Sequence, residues 1–578
     1  MGQPVQARNA RRDPRTGRAK VKTGCSTCKL RRVKCDEGRP VCGRCSSAGR
    51  VCEGYGIWGG GSLRRYGQGS PAASRASGSG SSSTACISIL TIDIEEGRYY
   101  DWFRCRTARK IPGMFISASF WNAVVFQACL SEPAVLHAAL TLSCVHKSAI
   151  GCTDENPEST CFTSEVPEYP NDNLDDQETF LLQQYLKAIG HLSPLLSKRD
   201  RSSVRTALIA CVLFVCLEFL RGHFQTAQAH LQNGLKVLAE RPAGDLAGAN
   251  SGNLSLQASR ESIDDHIVEA LYRLHVQVEL FNSTYQHPCL VLQEPCPVSF
   301  LSRFDTVRDA SKAMDGLMNR IVSLSQQAFQ QETSQEPPSQ HPFALSNCQR
   351  RINAELRRWL DVFEASANVL RKEADVKPFL CELLRGYHTM AIIMAGTCLR
   401  GHNETIFDSY TEQFAAIVDE FSSHRDMRPA MVTSHPAGRR LNMARSVIDI
   451  GWIPPLYYTA LKCRVHKVRL QAVRLLESTS HREGIWDSRI VACVCRKVMV
   501  LEGGTCHDTA DTRDKFERCG SLNRQDTLMS TVSQSCRINE VKVVLPNGPT
   551  DSLLLVCRQR LDTGVWKEWT EEDDSSWN

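Results

Sequence analysis

Six cysteines between residues 24 and 52 constrain the fold of this chain more than any other feature of its sequence. They are Cys25, Cys28, Cys35, Cys42, Cys45 and Cys52. Two and then six residues separate the first three. After a six-residue connector, the last three repeat these separations at an offset of 17 residues. If the residues after each close pair are helical, cysteines seven positions apart face the same way. The duplicated spacing therefore predicts two related arms around a shared metal site.

The six thiols are expected to form a closed, structural zinc site. Structural zinc prefers four tetrahedral ligands, with thiolate sulfur favoured. A single zinc ion would leave two thiols idle, whereas two ions need eight ligand places, which six thiolates fill when two of them bridge. The symmetry of the two halves nominates Cys25 and Cys42 as the bridging residues. A single-zinc site and three disulfide bonds are the alternatives, although disulfides better suit a small secreted chain.

This stretch resembles the six-cysteine binuclear zinc cluster of fungal transcription factors, the family of the yeast galactose-utilisation activator. The resemblance implies two Zn²⁺ ions with Cys25 and Cys42 as the bridging ligands, in agreement with the symmetry argument. It also implies that Pro40 makes the turn between the halves. Residues 24–56 would then be a DNA-binding domain, and the partner would be double-stranded DNA in the nucleus.

Basic residues are concentrated in the first of the two arms. Four of the six residues between its second and third cysteines are basic, namely Lys29, Arg31, Arg32 and Lys34, whereas the second arm has only Arg50 there. Arginine or lysine in the major groove can donate to O6 and N7 of guanine, while phosphate contacts fix the register. The resemblance implies that Arg31 and Arg32 read a CGG-type triplet and that Lys29 and Lys34 contact phosphates. The alternative is that these charges only solvate the metal site.

Charge is distributed unevenly along the chain. Residues 1–66 carry 16 Lys or Arg and four Asp or Glu, a balance of +12, and the remaining residues sum to −6. A basic N-terminal segment followed by a mildly acidic remainder predicts a polyanion-binding module joined to a domain of another kind. Residues 1–23 are expected to be a disordered basic arm that follows the DNA backbone, acts as a nuclear import signal, or has no role.

The remaining cysteines and apolar runs indicate the compartment. Twenty of the 26 cysteines are scattered from Cys86 to Cys557, as buried free cysteines are in ordinary proteins. The charged N-terminus has no apolar secretory core, so a reducing compartment, cytosol or nucleus, is expected. The longest nearly apolar run, residues 207–220, contains Glu218 and is too short to span a bilayer. It predicts a buried helix, and no membrane partner is expected.

The fold is predicted to be mainly α. A small N-terminal binuclear zinc cluster module is joined by a flexible Gly/Ser-rich linker, residues 57–90, to a large all-helical regulatory domain, residues 91–502. Within that domain Ser131 is expected to cap a helix with Pro133 in its first turn, and Ile189 to lie on the apolar face of a helix.

The rest of the chain carries weaker signals. Gly222 is expected to end the helix formed by residues 207–220. Residues 503–578 are expected to be partly disordered, with a possible hairpin between 541–545 and 553–556. The acidic-aromatic tail after Val565 is read as an activation segment or an ordinary solvated terminus.

Several segments of the body resemble the helical regulatory domain that follows the zinc cluster in one branch of the family. They are RYYDWFRCRTARKIPGMF (98–115), SEPAVLHAALTLSCVH (131–146), the paired helices of 204–240, and YRLHVQVELF (272–281). The resemblance implies an all-helical array that works in regulation and protein contact, with transcription machinery or co-regulators as partners.

The leading hypothesis is a nuclear, sequence-specific transcription factor acting on RNA polymerase II genes, as in relatives that control secondary-metabolite gene clusters. The alternative is a chromatin-associated co-regulator whose zinc module is a scaffold. An enzyme is not expected, because no nucleophile–base set, phosphate loop or open metal site is recognised in the sequence. No sustained heptad pattern follows the zinc cluster, so a homodimer is possible but not specified.

Overall fold

The chain forms two compact units, residues 1–86 and 87–578, which are described separately below. The computed structural model describes residue 28 and residues 33–36, 42–48, 92–112, 120–151, 174–198, 200–239, 254–257, 263–281, 290–293, 302–333, 342–371, 378–400, 403–426, 447–478, 481–503, 532–545, 552–561 and 563–573. In the first unit the described ranges hold one short helix, α1 (Gly43–Ser46). The second unit, called the helical body below, holds all the other elements.

Helices dominate the described part of the second unit, which confirms the mainly α class. In chain order they are α2 (Ile94–Trp102), which continues through a wider turn to Lys110, α3 (Phe126–Ser131), α4 (Pro133–Gly151), α5 (Leu174–Leu196), α6 (Arg201–Arg221), α7 (Phe224–Ala239), α8 (Ile263–Phe281), α9 (Val307–Thr333), α10 (Pro342–Leu370), α11 (Pro378–Thr397), α12 (Thr411–Asp426), α13 (Ile453–Lys462), α14 (His466–Glu477) and α15 (Ser488–Leu501). A 3₁₀ turn, Glu404–Tyr410, leads into α12.

Short strands accompany the helices, and the sequence did not predict most of them. Within the range expected to be all-helical, β1 (Leu254–Gln257) pairs in parallel with β2 (Leu290–Gln293), and β3 (Arg482–Glu483) pairs antiparallel with β4 (Trp486–Asp487). Near the C-terminus β5 (Glu540–Val544), β6 (Leu553–Arg560) and β7 (Trp566–Asp573) form an antiparallel sheet in the order β5-β6-β7. The segment of the predicted hairpin is thus β5 and β6, and much of the acidic-aromatic tail is a third strand.

Helix α6 lies at the centre of the N-terminal half of the helical body. The Asp200 carboxylate caps its first turn by accepting the Ser203 backbone N–H at 3.0 Å, and Gly222 ends it with φ 83°. Helices α4, α5 and α7 pack against it. It is also the one helix in the described ranges long and apolar enough for a membrane span, yet 83% of that apolar window is buried inside the protein. The buried helix predicted for residues 207–220 is therefore observed.

The start of α4 differs from the prediction. Pro133 is its first residue, as expected for a proline that has no N–H to lose. Ser131, however, is the last residue of α3, and its hydroxyl donates back to the Gln127 carbonyl at 3.4 Å. A serine before a proline favours a helix start, but here the same serine is used by the helix that ends.

A buried network of charges attaches the C-terminal sheet to the helices. Its members include Arg400, Glu404, Lys462, Arg464, Arg469, Glu502 and Arg537. The Glu502 carboxylate accepts the Ile538 backbone N–H at 2.8 Å, and Lys462 Nζ donates to the Asn539 carbonyl at 2.9 Å. Buried charges are tolerated when they are paired and hydrogen-bonded in this way. The residues that precede β5 are therefore held by the helical body.

Candidate metal centre and nucleic-acid interface

Four cysteine side chains of the first unit are buried together. The Cys28 and Cys42 sulfur atoms are 3.7 Å apart, and the Cys28 and Cys45 sulfur atoms are 3.9 Å apart. Both separations are far too long for a disulfide bond, in which the sulfurs are about 2.05 Å apart. They match two thiolates on one tetrahedral zinc ion, which are about 3.8 Å apart when each Zn–S bond is about 2.3 Å. The spacing is therefore that of metal ligands.

The sulfur atoms also show which halves of the motif meet. Those of Cys28, Cys35 and Cys42 all lie within 4.8 Å of one another, so two cysteines of the first half converge with the first cysteine of the second half. Cys42 Sγ also accepts the Cys45 backbone N–H at 3.3 Å. Cys42 therefore lies between the two halves, where a bridging ligand has to be. Cys25 and Cys52 lie outside the described residues.

The chemistry of the donor set fits zinc. All the converging ligand atoms are thiol sulfurs, and the residues that carry them are buried. Soft thiolates in a closed tetrahedral arrangement select zinc over calcium or magnesium, which prefer oxygen ligands. The burial of the four described cysteines is what a structural zinc site requires.

Asp36 supports the metal centre, and the sequence analysis did not single it out. Its carboxylate accepts the backbone N–H groups of Gly43 at 2.9 Å and Arg44 at 3.1 Å, so it links the end of the first arm to the start of α1. These bonds, that from Arg44 first, hold the pKa of Asp36 below its usual value. A Cβ atom at Gly43 would lie 2.8 Å from Asp36 Oδ2. An acid directly after Cys35, within a basic stretch, was the only signal for this role.

The basic residues of the first arm are only partly described. Lys34 is exposed, and its neighbour Val33 donates its backbone N–H to the Cys28 carbonyl at 3.0 Å. That bond ties the segment carrying Lys34 to one of the four clustered cysteines. Lys29, Arg31 and Arg32 lie outside the described residues. Their assignment to DNA contact stays a prediction.

Two family models match the chain, and between them they account for both units. The fungal Zn(2)-Cys(6) binuclear cluster domain matches residues 23–57, and the fungal specific transcription factor domain matches residues 98–426, more than half of the chain. A buried cluster of thiols before a large helical body is the architecture of a zinc-dependent regulatory protein. The chain belongs to the family of fungal Zn(2)-Cys(6) transcription regulators.

Curated relatives are transcription regulators. The chain is 24% identical over 569 residues to the Aspercryptin biosynthesis cluster-specific transcription regulator atnN of Emericella nidulans, an alignment that covers 82% of this chain and 86% of the relative. It is 26% identical over 239 residues to transcription regulator lscL of Purpureocillium lilacinum, covering 39% of this chain and 53% of that protein. Sterol uptake control protein 2 of Candida albicans is 64% identical over 36 residues, 6% of this chain and 5% of the relative. No solved structure matches the chain.

Family membership places the chain in a class of protein. It implies zinc binding by the cysteine cluster, DNA binding and a place in the nucleus. The family consists of transcription factors, a class that is generally not enzymatic.

Proposed function

We propose that this protein is a zinc-dependent, sequence-specific DNA-binding transcription factor that regulates RNA polymerase II genes. The observation that carries the proposal is the convergence of the Cys28, Cys35 and Cys42 sulfurs within 4.8 Å. Six thiolates, those of Cys25, Cys28, Cys35, Cys42, Cys45 and Cys52, hold two zinc ions, and Cys25 and Cys42 bridge them. The position of Cys42 between the two halves supports this ligand arrangement, because a separate zinc in each half would not need it near Cys28 and Cys35.

The first arm makes the DNA contacts in this proposal. Arg31 and Arg32 donate to guanine edges of a CGG-type triplet in the major groove, and Lys29 and Lys34 contact phosphates. The exposure of Lys34 supports the second role. Because the second arm has one basic residue where the first has four, the first arm is the one that attracts DNA.

The genes under control are proposed to be those of a secondary-metabolite cluster. The support is the relative that matches 82% of this chain, which is named for the biosynthesis cluster that it regulates. Transcription machinery or co-regulators are the partners proposed for the helical body. A homodimer on two half-sites is proposed as well.

A selection from random DNA duplexes tests the proposal. Full-length protein is incubated with the pool, with and without a zinc chelator, and bound sequences are read after several rounds. Enrichment of a CGG-like triplet that disappears with the chelator is expected. Paired triplets at a fixed spacing would indicate a dimer, and single triplets a monomer.

The matched control compares Arg32→Ala with Arg50→Ala, since each variant removes one positive charge from one arm. Loss of selectivity is expected in Arg32→Ala alone. Binding to every duplex alike, weakened by salt but not by the chelator, would contradict sequence reading and favour the co-regulator alternative.

A further inference from the structure

A cavity of about 140 Å³ lies within the helical body. Helices α8, α9, α11, α13 and α15, together with residues 538–541 at the start of β5, supply much of its wall. Aromatic rings and thioethers make up much of the lining, namely Met390, Met394, Phe407, Tyr457, Tyr458 and Trp486. An engineered cavity of about 150 Å³ in another protein holds benzene, so this volume suits a ligand with roughly six to ten heavy atoms.

A buried carboxylate on the cavity wall has no hydrogen bond within the described ranges. Glu279 is only 7% exposed and lines the cavity. The His275 Nδ1 atom is 4.0 Å from Glu279 Oε1, beyond hydrogen-bond distance. Burial raises the pKa of this carboxyl to about 7. A buried carboxyl without a hydrogen bond is costly and marks a place where a ligand can supply the missing donor.

Two further polar atoms on the same wall lack a partner among the residues that the structure describes. They are the Tyr457 hydroxyl and the Trp486 Nε1–H, both buried. The two rings lie edge to face with centroids 5.3 Å apart, so they form one continuous surface. An indole N–H can only donate, and a phenol can donate as well. The two groups together suit an oxygen acceptor.

The cationic side chains that line the cavity are already paired with a carboxylate of the protein. Lys462 lies 3.3 Å from Glu404 and also donates to the Asn539 carbonyl, and Arg400 lies 3.3 Å from the same Glu404. Both cations also lie over the Phe407 ring at 5.2 Å. The positive charges of this wall are therefore committed to Glu404, and the carboxylate of Glu279 is the group left to recognise a ligand.

We propose that this cavity binds a small amino alcohol whose ammonium group pairs with Glu279 and whose oxygen accepts from Tyr457 and Trp486. The apolar part of the ligand lies against the aromatic rings, whose faces also attract a cation. Because residues 538–541 form part of the wall and are bonded to Glu502 and Lys462, an occupied cavity stiffens the attachment of the C-terminal sheet. Binding of a small molecule then changes the rigidity of the helical body.

Calorimetric titration of full-length protein with three matched probes tests the site. They are 2-amino-1-phenylethanol, phenethylamine, which lacks the hydroxyl, and 1-phenylethanol, which lacks the amine. The amino alcohol is expected to bind about tenfold or more tightly than 1-phenylethanol, because a hydrogen-bonded charge pair is lost with the amine. Saturable binding of none of the three, or equal binding of all three, would overturn the proposal.

Three variants identify the groups involved. Glu279→Gln keeps the shape of the side chain and is expected to abolish the advantage of the amine. Trp486→Phe keeps a ring but removes the N–H, and is expected to reduce the advantage of the amino alcohol over phenethylamine, while the Tyr457 hydroxyl still donates to the ligand oxygen. Glu412→Gln, at an exposed carboxylate on α12, is the control and is expected to change nothing. An amine preference that survives in Glu279→Gln would overturn the role of Glu279.

Discussion

In the first unit the buried side chains that the structure describes are four cysteines, whereas the core of the helical body is built from aliphatic and aromatic side chains. The zinc-cluster segment, residues 24–56, has too few residues to bury a core of its own, so a metal has to supply its folding free energy. The helical body buries whole faces of its helices, and many small contributions hold it together. We therefore expect the two units to respond to different perturbations.

The largest expected effect follows from the loss of a bridging thiolate. Cys42→Ser should release zinc and unfold the first unit, because structural zinc contributes about 10–16 kcal/mol in comparable peptides. Zinc content and specific DNA binding should fall together, while the thermal transition of the helical body stays in place. Cys105→Ser, at an exposed cysteine near the end of α2, is the control. A variant that kept two zinc ions would rule out the bridging role of Cys42.

The reverse perturbation removes a large buried side chain from the core of the helical body. The Trp359 side chain is fully buried on α10, donates its Nε1–H to the Ala310 carbonyl at 3.0 Å, and stacks on Phe363 with centroids 4.7 Å apart. Trp359→Ala should cost about 3–5 kcal/mol of stability. Calorimetry should show a lower transition for the helical body, with zinc content unchanged. Loss of zinc in this variant would show that the two units do not fold independently.

The two units also differ in how much their sequence reveals. Cysteine spacing is read directly, because metal ligands have to converge whatever surrounds them. The face that a helix buries depends on what packs beside it. Ile189 matches the apolar periodicity of α5 as well as Tyr185 does, yet Ile189 is 43% exposed. Ile189 therefore belongs to the predicted apolar pattern, but the helix does not bury it, and periodicity alone had no means to show this.

Strands were harder still to predict than helix faces. Leu553, Leu555 and Cys557 of β6 are buried at alternate positions, a pattern that the sequence shows. Strand β7 has no comparable apolar alternation, and its residues are mostly exposed. It is a strand because its backbone pairs with β6, and such pairing leaves little trace in composition. Asp36 escaped notice for a similar reason, since its partners are backbone N–H groups.

The dependence of the free energy of unfolding on pH distinguishes the helical body from the first unit further. Burial raises the pKa of Glu279 from its usual 4.5 to about 7 in the folded protein. Between these values the folded state holds a proton that the unfolded state has lost, so stability falls as pH rises from about 4.5 to about 7. The full penalty, about 3 kcal/mol, is present above that range. Glu279→Gln should flatten this slope in denaturant unfolding of the helical body, and an unchanged slope would contradict the assignment.

The contribution of the first arm to DNA reading is expected to be smaller. Arg32→Ala should cost about 1–3 kcal/mol in binding to the selected site and relax the choice of base at one position. Lys34→Ala should weaken binding to all duplexes about equally and reduce the salt dependence, because a phosphate contact carries no sequence information. Competition titrations at two salt concentrations separate these outcomes. Equal loss of selectivity in both variants would contradict the proposed division between base and phosphate contacts.

The smallest expected effect tests backbone conformation alone. Gly222 ends α6 with φ 83°, and a Cβ atom there would lie 3.7 Å from Arg482 Nη1, an ordinary contact. Gly222→Ala should therefore lower the stability only through the backbone conformation, by about 1–2 kcal/mol.

Gly97→Ala in α2 is the matched control, in which stability should change in the opposite direction, since its Cβ would meet nothing within 4 Å. It should gain about 0.5–1 kcal/mol, because glycine is a poor helix former. Calorimetric transitions that shift in opposite directions would show that the ends and interiors of these helices are limited by backbone preference. Equal shifts would mean that packing around α6 outweighs backbone preference. That packing includes the hydrogen bond that Arg482 donates to the Phe219 carbonyl.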